Sequence, residues 1–197
     1  RKHLDLEKGK QKKKLKNKQL KWLLLKLVMI LFAFISLSHA KGEAELLEQA
    51  NKYYKKGLFT QAIILYRKLE SKNYLPGKVS YNLGNSFFQK GDLPKAAAAF
   101  RKSIQHSKNG DYRPILNLAT VHFKLSNWAQ SIALYKRMLR IDPKNLSAWY
   151  YLAEACTRVG DPVCTQEALE SALELPEVDA GAVYQLAEVF VAIKELK

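Results

Sequence analysis

Apolar side chains recur every three to four residues through most of the chain beyond its first forty residues. This spacing, with apolar positions at i, i+3 or i+4 and i+7, is that of one face of an α-helix. Corresponding positions return after about 34 residues: Gly57 and Gly91 are 34 apart, and Phe100 and Tyr135 are 35 apart because one residue is inserted near 108–110. The pattern predicts an all-α chain of repeated helical hairpins.

Three glycines mark the turns inside these hairpins. Gly57, Gly91 and Gly160 fall where two helices are joined tightly, at positions that favour a positive φ. Ser126 stands at the corresponding place in the third hairpin.

Local signals also predict helix starts and close packing. Asp92, Asp142 and Asp161 each precede a proline by one or two residues, an arrangement typical of a helix N-terminus. Small residues such as Gly84 allow two helices to approach, and large ones such as Phe100 fill the space beside them. A single hairpin cannot bury its own apolar face, so the hairpins are expected to stack.

This pattern resembles the tetratricopeptide-repeat (TPR) family over about residues 43–175. The segments that match are Trp149…Leu152-Ala153…Gly160, the pairs Ala62…Tyr66 and Ala96…Phe100, Leu83-Gly84 and Asp142-Pro143. The resemblance implies a right-handed solenoid of about four TPR units, at 43–76, 77–111, 112–145 and 146–179, followed by a capping helix at 180–197.

A narrower resemblance concerns the second repeat. Tyr81-Asn82-Leu83-Gly84-Asn85, preceded by Leu75-Pro76-Gly77, looks like exported bacterial TPR proteins of the aerotolerance (Bat) type. That resemblance implies a place at the cell envelope.

In TPR proteins the first helix of each pair lines a concave groove that binds a peptide or helix of a partner protein. The resemblance therefore implies contact residues on the first helices: Asn51, Tyr54, Lys78, Tyr81, Asn82, Asn85, Arg113, Asn117, Lys124, Tyr150, Tyr151 and Arg158. Asparagine amides can bond a peptide backbone, and the cations favour an acidic segment or a C-terminal carboxylate. The alternative is a set of ordinary solvated side chains.

Part of this set also resembles the carboxylate clamp of the TPR family. Lys78 and Asn82, followed by Asn117 one repeat later, carry that resemblance. The clamp would need basic residues at positions 147 and 151, which hold Ser147 and Tyr151, so it is incomplete.

Residues 1–40 have the order of an export segment. A basic run up to Lys21 is followed by the apolar stretch Trp22–Leu37, interrupted only by Lys26, and then by Ser38-His39-Ala40. This order is typical of a secretory signal peptide cleaved after Ala40, or of a retained N-terminal membrane anchor. Either outcome places the remainder in the periplasm, free or anchored in the inner membrane.

The net charge of +15 is concentrated at the N-terminus. Residues 1–40 hold 11 Lys or Arg against two acids, whereas residues 41–197 hold 22 against 16. Because most of the basicity belongs to the export segment, nucleic acid is not expected as the partner, and RNA binding by helical repeats stays an alternative.

Cys156 and Cys164 are the only cysteines. Export favours a disulfide between them, and the alternative is two small buried side chains.

No catalytic motif, metal-ligand spacing or cofactor motif is present, so neither a cofactor nor a metal site is expected, and an envelope enzyme is the third function class. The sequence favours a non-catalytic interaction scaffold or assembly factor at the bacterial cell envelope.

Overall fold

The computed structural model describes the backbone of residues 2–107, 111–176, 181, 186–189 and 191. Within the first helix it describes the side chains of residue 18, of residues 20–32 and from residue 41 onward. All regular structure in these ranges is α-helical. The bounded helices are α1 (Lys2–Lys55), α2 (Phe59–Ser71), α3 (Pro76–Gln89), α4 (Leu93–His106), α5 (Arg113–Lys124), α6 (Trp128–Leu139), α7 (Leu146–Arg158) and α8 (Pro162–Leu173), and the described residues 181, 186–189 and 191 are helical as well. The insertion expected near 108–110 and most of the capping helix expected at 180–197 lie outside the described residues.

The chain divides into two compact units, residues 1–46 and residues 47–197. In the first unit the apolar side chains between Leu20 and Phe32 are all more than half exposed, from 56% at Leu24 to 75% at Phe32. Over the described residues, none of the helices combines the length and the apolar character needed to cross a membrane. Cleavage after Ala40 and retention as an anchor both stay predictions.

The second unit is a stack of helical hairpins. Residues 47–55 of α1 with α2, then α3 with α4, α5 with α6 and α7 with α8 follow one another along the chain. Each helix from α2 to α7 packs on the next, and α5 also contacts both α3 and α7. First helices of successive hairpins therefore adjoin one another, which confirms the predicted helical-hairpin solenoid.

The turns inside the hairpins have the predicted backbone geometry. Gly57, Gly91 and Gly160 have φ values of 74°, 77° and 72°. Ser126, at the corresponding turn of the third hairpin, adopts a φ of 57° although it carries a Cβ atom. The turn geometry is thus kept where the glycine is missing, at the cost of a strained backbone.

Two of the three predicted helix starts are confirmed. The Oδ1 atom of Asp92 accepts a hydrogen bond from the backbone N–H of Lys95 (3.3 Å), and that of Asp161 accepts one from Cys164 (3.0 Å). These are N-cap interactions.

The prediction of a helix start at Asp142 is wrong. Pro143 and Lys144 form a turn, and α7 begins only at Leu146. Asn145 is the N-cap, because its Oδ1 atom accepts a hydrogen bond from the backbone N–H of Ala148 at 3.0 Å. The helix therefore starts one turn later than the Asp-Pro pair suggests.

Close approach of α3 and α4 depends on a missing side chain. A Cβ atom added to Gly84 would lie 2.5 Å from the ring of Phe100, which is fully buried. Phe100 packs with Ala96, Leu118 and Val121 in a core that joins the second and third hairpins. Small and large residues thus alternate at this contact as predicted.

Candidate functional site

Most of the predicted contact residues lie on one surface of the second unit. We call it the first-helix face: the side on which side chains of residues 47–55 of α1, of α3, of α5 and of α7 meet. Hydrogen bonds and ring contacts between these helices bring the residues together, one repeat to the next.

The first contact on this face joins Asn51 of α1 to Asn82 of α3. The Nδ2 atom of Asn82 donates to the Oδ1 atom of Asn51 at 3.1 Å. The hydroxyl of Tyr66, from α2, donates to the same oxygen at 2.7 Å. Tyr66 is buried, and burial raises the pKa of its hydroxyl to about 12, so it remains a donor at all ordinary pH values.

The same contact recurs one repeat later. The Nδ2 atom of Asn117 in α5 donates to the Oδ1 atom of Asn85 in α3 at 2.8 Å, and it also approaches the hydroxyl of Tyr81 at 3.4 Å. We call these four asparagines the amide row: Asn51, Asn82, Asn85 and Asn117.

Each asparagine pair of the amide row leaves one NH2 group and one carbonyl oxygen without a hydrogen bond within the described part of the chain. The Nδ2 groups of Asn51 and Asn85 have no hydrogen bond there, and neither do the Oδ1 atoms of Asn82 and Asn117. A primary amide has one acceptor oxygen and two donor hydrogens. Each pair can therefore accept an N–H and donate to a C=O, which are the two groups of a peptide backbone.

Two of the four predicted cations are already paired. Arg113 forms two hydrogen bonds with Asp111, at 2.9 and 3.0 Å, and these lower the pKa of the Asp111 carboxyl. Arg158 contacts Glu154 at 3.3 Å. Neither guanidinium is a fully available anion site.

Lys78 and Lys124 differ from these arginines. Both are exposed, and neither forms an ion pair with a residue that the structure describes. The ammonium of Lys124 lies 5.7 Å from the centre of the Phe88 ring. They are the available cations of the predicted set.

Aromatic rings occupy the end of the face formed by the third and fourth hairpins. Tyr151 of α7 lies 5.2 Å from Tyr150 and from Phe123, and it stacks on the buried Tyr135 at 6.0 Å, as measured between ring centres. Phe123 also contacts Trp128 at 5.2 Å. This end is therefore apolar, whereas the amide row is polar.

Phe88 and Phe123 are half-buried on this face, although neither was among the predicted contact residues. They stand 34 and 69 residues after Tyr54, at the equivalent place in their helices. The repeat period applied to Tyr54 would have identified both. Asp111, the partner of Arg113, had no such signal, because it precedes its helix and lies beside the insertion.

Cys156 and Cys164 are joined by a disulfide in the structure, with their Cα atoms 5.8 Å apart. The bond links α7 to α8, and both residues are buried in a core that includes Leu152 and Leu186. It closes the fourth hairpin and lies apart from the amide row.

Three other features of the second unit were considered as candidate sites: a buried histidine, a cavity and the arrangement of possible metal ligands. His122 is buried, and burial, followed by the charge of Arg101, lowers its pKa below 6.5. A cavity of about 540 Å³ lies between α6, α7 and α8, lined in part by Lys136, Arg140 and Glu167. Over the described ranges, no three His, Cys, Asp or Glu side chains cluster as metal ligands would.

Charge is unevenly distributed along the second unit. Residues 47–144 contain 18 Lys or Arg and 5 Asp or Glu, whereas residues 145–197 contain 3 and 9. The first three hairpins are thus strongly basic, although the whole region after residue 40 carries only a moderate excess. An acidic ligand would be attracted to the end that carries the amide row.

The chain matches the family model described as tetratricopeptide repeat over residues 47–113 and 116–162. In sequence it is 27% identical over 115 residues to Protein CTR9 homolog of Arabidopsis thaliana; the match covers 57% of this chain, which spans only about a tenth of that relative.

Among solved structures, the fold is similar to the crystal structure of MamA protein, with a TM-score of 0.69, 16% identity and coverage of 78% of this chain and 85% of that one. It is also similar to the first TPR of Spaghetti (RPAP3) bound to the HSP90 peptide SRMEEVD, with a TM-score of 0.56, 20% identity and coverage of 59% and 92%.

Proposed function

The chain belongs to the tetratricopeptide-repeat family, and from that premise we propose that it is a non-catalytic scaffold that binds an extended segment of a partner protein on its first-helix face. Repeats of this family typically mediate protein–protein interaction and peptide binding. The observation that supports this site is the amide row. Its two pairs offer the donor and acceptor that a peptide backbone requires, and each is held in place by a bond to its neighbour.

The preferred segment is acidic. Lys78 and Lys124 are exposed cations without an ion-pair partner among the described residues, and the surrounding three hairpins carry a large basic excess. The peptide in the related RPAP3 complex, SRMEEVD, is itself acidic. Charge of this kind raises the association rate and favours acidic over basic partners.

Acidic side chains, rather than a terminal carboxylate, supply the negative charge. A complete carboxylate clamp would use basic residues at positions 147 and 151, and this chain has Ser147 and Tyr151 there. Arg113, which could replace them, is engaged by Asp111. A peptide with an amidated C-terminus is therefore expected to bind about as well as the free acid.

The site of action that we propose is the bacterial cell envelope, on the periplasmic side. The order of basic, apolar and small residues in the first forty residues supports export, and the exposed apolar side chains from Leu20 to Phe32 would be covered by a membrane or removed by cleavage. Expression with a C-terminal tag, followed by fractionation and N-terminal sequencing, tests this. A protein found in the cytoplasm with an intact N-terminus would contradict it.

The proposed function is tested by selecting linear peptides from a phage-displayed library with the full chain. The affinity of a selected peptide is then measured for Asn82→Ala/Asn117→Ala. Each removed amide supplied an unused acceptor, so we expect affinity to fall at least tenfold while the melting temperature changes little, since Asn51 keeps its bond to Tyr66.

A matched control removes two exposed amides from second helices, Gln61→Ala/Gln105→Ala. This control is expected to bind like the unchanged chain. Equal affinity in the asparagine variant, or displacement of the peptide by single-stranded RNA, would contradict the proposal.

A further inference from the structure

A row of aromatic rings runs beside the amide row. Tyr54, Phe88 and Phe123 occupy the same place in three successive first helices, spaced by 34 and 35 residues. Tyr54 and Phe88 each follow an asparagine of the amide row by three residues, which places them one turn further along the same helix face. Tyr151 of α7 is not at the equivalent position in its helix, but its ring packs against the end of the row, 5.2 Å from Phe123.

The rings of this aromatic row are partly covered by their own hairpins. Tyr54 has an edge-on contact with Phe59 at 5.5 Å, and Phe123 has one with Trp128 at 5.2 Å. Tyr54, Phe88, Phe123 and Tyr151 nevertheless all remain half-buried rather than buried, in contrast to Tyr66 and Phe100 in the core. The uncovered part of each ring is apolar surface on the same face as the unused amide groups.

Each ring is also contacted from the next first helix. Burial raises the pKa of the Tyr54 hydroxyl, and the nearby side chain of Gln89 in α3 partly opposes that shift. Lys124 of α5 lies over the Phe88 ring, and Tyr151 of α7 lies against Phe123. The rings therefore lie at the junctions between successive first helices, as the asparagine pairs do.

We propose that the aromatic row selects extended partner segments that carry a bulky apolar side chain at every third residue. The inference rests on the proposed function, since it takes the first-helix face as the binding site. Helices packed side by side are about 8–10 Å apart, and an extended chain advances about 3.3 Å per residue. One hairpin therefore corresponds to about three residues of ligand, so a side chain that meets one ring is followed by another three residues later.

The test uses synthetic peptides of equal length with acetylated and amidated ends. The first repeats Asp-Leu-Ser three times, the second contains the same residues with the three leucines adjacent, and the third has serine in place of every leucine. Affinity for the full chain is measured by fluorescence anisotropy at constant salt. Partial burial of a leucine is worth about 1 kcal/mol, so each leucine in register strengthens binding about fivefold.

The first peptide is expected to bind at least tenfold more tightly than the second and about a hundredfold more tightly than the third. The affinity gained from the central leucine is measured by comparing the first peptide with a peptide in which only that leucine is replaced by serine. Phe88→Ala should remove most of this gain. If the Phe88 ring had only a structural role, its removal would lower the affinity for all peptides by the same factor. A loss specific to the central leucine therefore separates the two roles. Phe88→Leu, which keeps an apolar side chain, should retain most of the gain.

The outcomes are distinguishable. Equal binding of all three peptides, lost in Asn82→Ala/Asn117→Ala, would overturn the aromatic row and leave the proposed function intact. Equal binding of the first two peptides would overturn the three-residue spacing. Failure of every peptide to bind would overturn the inference, and peptides selected from the library would then decide the proposed function separately.

Discussion

The side-chain amide of Asn117 donates to that of Asn85 across the junction between two hairpins, over a distance of 2.8 Å. Asn82 and Asn51 stand in the same relationship one repeat earlier, at 3.1 Å. Each bond holds two residues 31 or 32 positions apart in sequence, so it fixes the orientation of both amides before any ligand is present. Groups held in this way lose little side-chain entropy on binding.

Asp111→Asn is expected to increase affinity for an acidic peptide, by about two- to fivefold. The change removes the carboxylate that engages Arg113 through two hydrogen bonds and so releases a cation on the first-helix face. Isothermal titration calorimetry with a library-selected acidic peptide measures the effect. Glu167→Gln, which removes a carboxylate from α8, is the control; an equal gain in both variants would show a general charge effect.

Ser126→Gly is expected to stabilise the fold by about 1 kcal/mol. Ser126 has a φ of 57°, which a residue with a Cβ atom adopts only with strain, and glycine relieves that strain. Chemical denaturation, followed by the loss of helical structure, measures the change in the free energy of unfolding. The reverse substitution, Gly91→Ser, should cost a similar amount, and a stable Gly91→Ser variant would argue against strain at these turns.

Gly84→Ala is expected to destabilise the protein by about 1–3 kcal/mol, because its Cβ atom would lie 2.5 Å from the Phe100 ring. Phe100→Leu alone leaves a cavity and also destabilises. Combining the two should cost less than the sum of the single changes, since leucine makes room for the added methyl group. Melting temperatures of the three variants test this, and simple additivity would contradict the contact.

Reduction of the Cys156–Cys164 disulfide should lower stability by about 2 kcal/mol, the amount expected for releasing a short loop in the unfolded chain. Thermal unfolding with and without dithiothreitol measures it. Cys156→Ala/Cys164→Ala should be insensitive to the reductant. A wild-type chain that is equally insensitive, after purification under oxidising conditions, would show that the two thiols are not bonded.

Stability should fall on acidification through the titration of His122. Its folded pKa is lowered by burial and by Arg101, so below about pH 6.5 the unfolded state takes up a proton that the folded state resists. The stabilisation is complete above that pH and is lost as the pH falls toward the folded pKa. His122→Gln should flatten the dependence of melting temperature on pH between 7.5 and 5, and an unchanged dependence in this variant would contradict the assignment to His122.

Fold and repeat register were predictable from sequence because apolar periodicity and turn residues act locally. Gly57 and Gly91 could be assigned positive φ before the structure was known, and the approach of Phe100 to Gly84 followed from side-chain size. The start of α7 could not, because an Asp-Pro pair and an Asn three residues later are both good helix signals, and the choice depends on how the chain leaves α6.

The site was predictable as a set of residues but not as a set of contacts. Register placed Asn82 and Asn117 on the same face, yet it could not show that their amide groups are partly used by Asn51 and Asn85. From register alone, Arg113 was predicted to be an available cation, whereas it forms an ion pair with the carboxylate of Asp111, two residues earlier. Such pairings depend on side-chain geometry, which repeat spacing does not specify.

The regular spacing of Tyr54, Phe88 and Phe123 has a consequence for the evolution of binding. Because each of the first three hairpins contributes one ring at the same place in its first helix, duplicating or deleting one of these hairpins would change the length of the recognised segment by about three residues. The number of hairpins would then set the length of the segment that the protein recognises. Recombination could lengthen or shorten the recognised segment, while point substitutions in the rings would alter which ligand side chain is accepted at each ring.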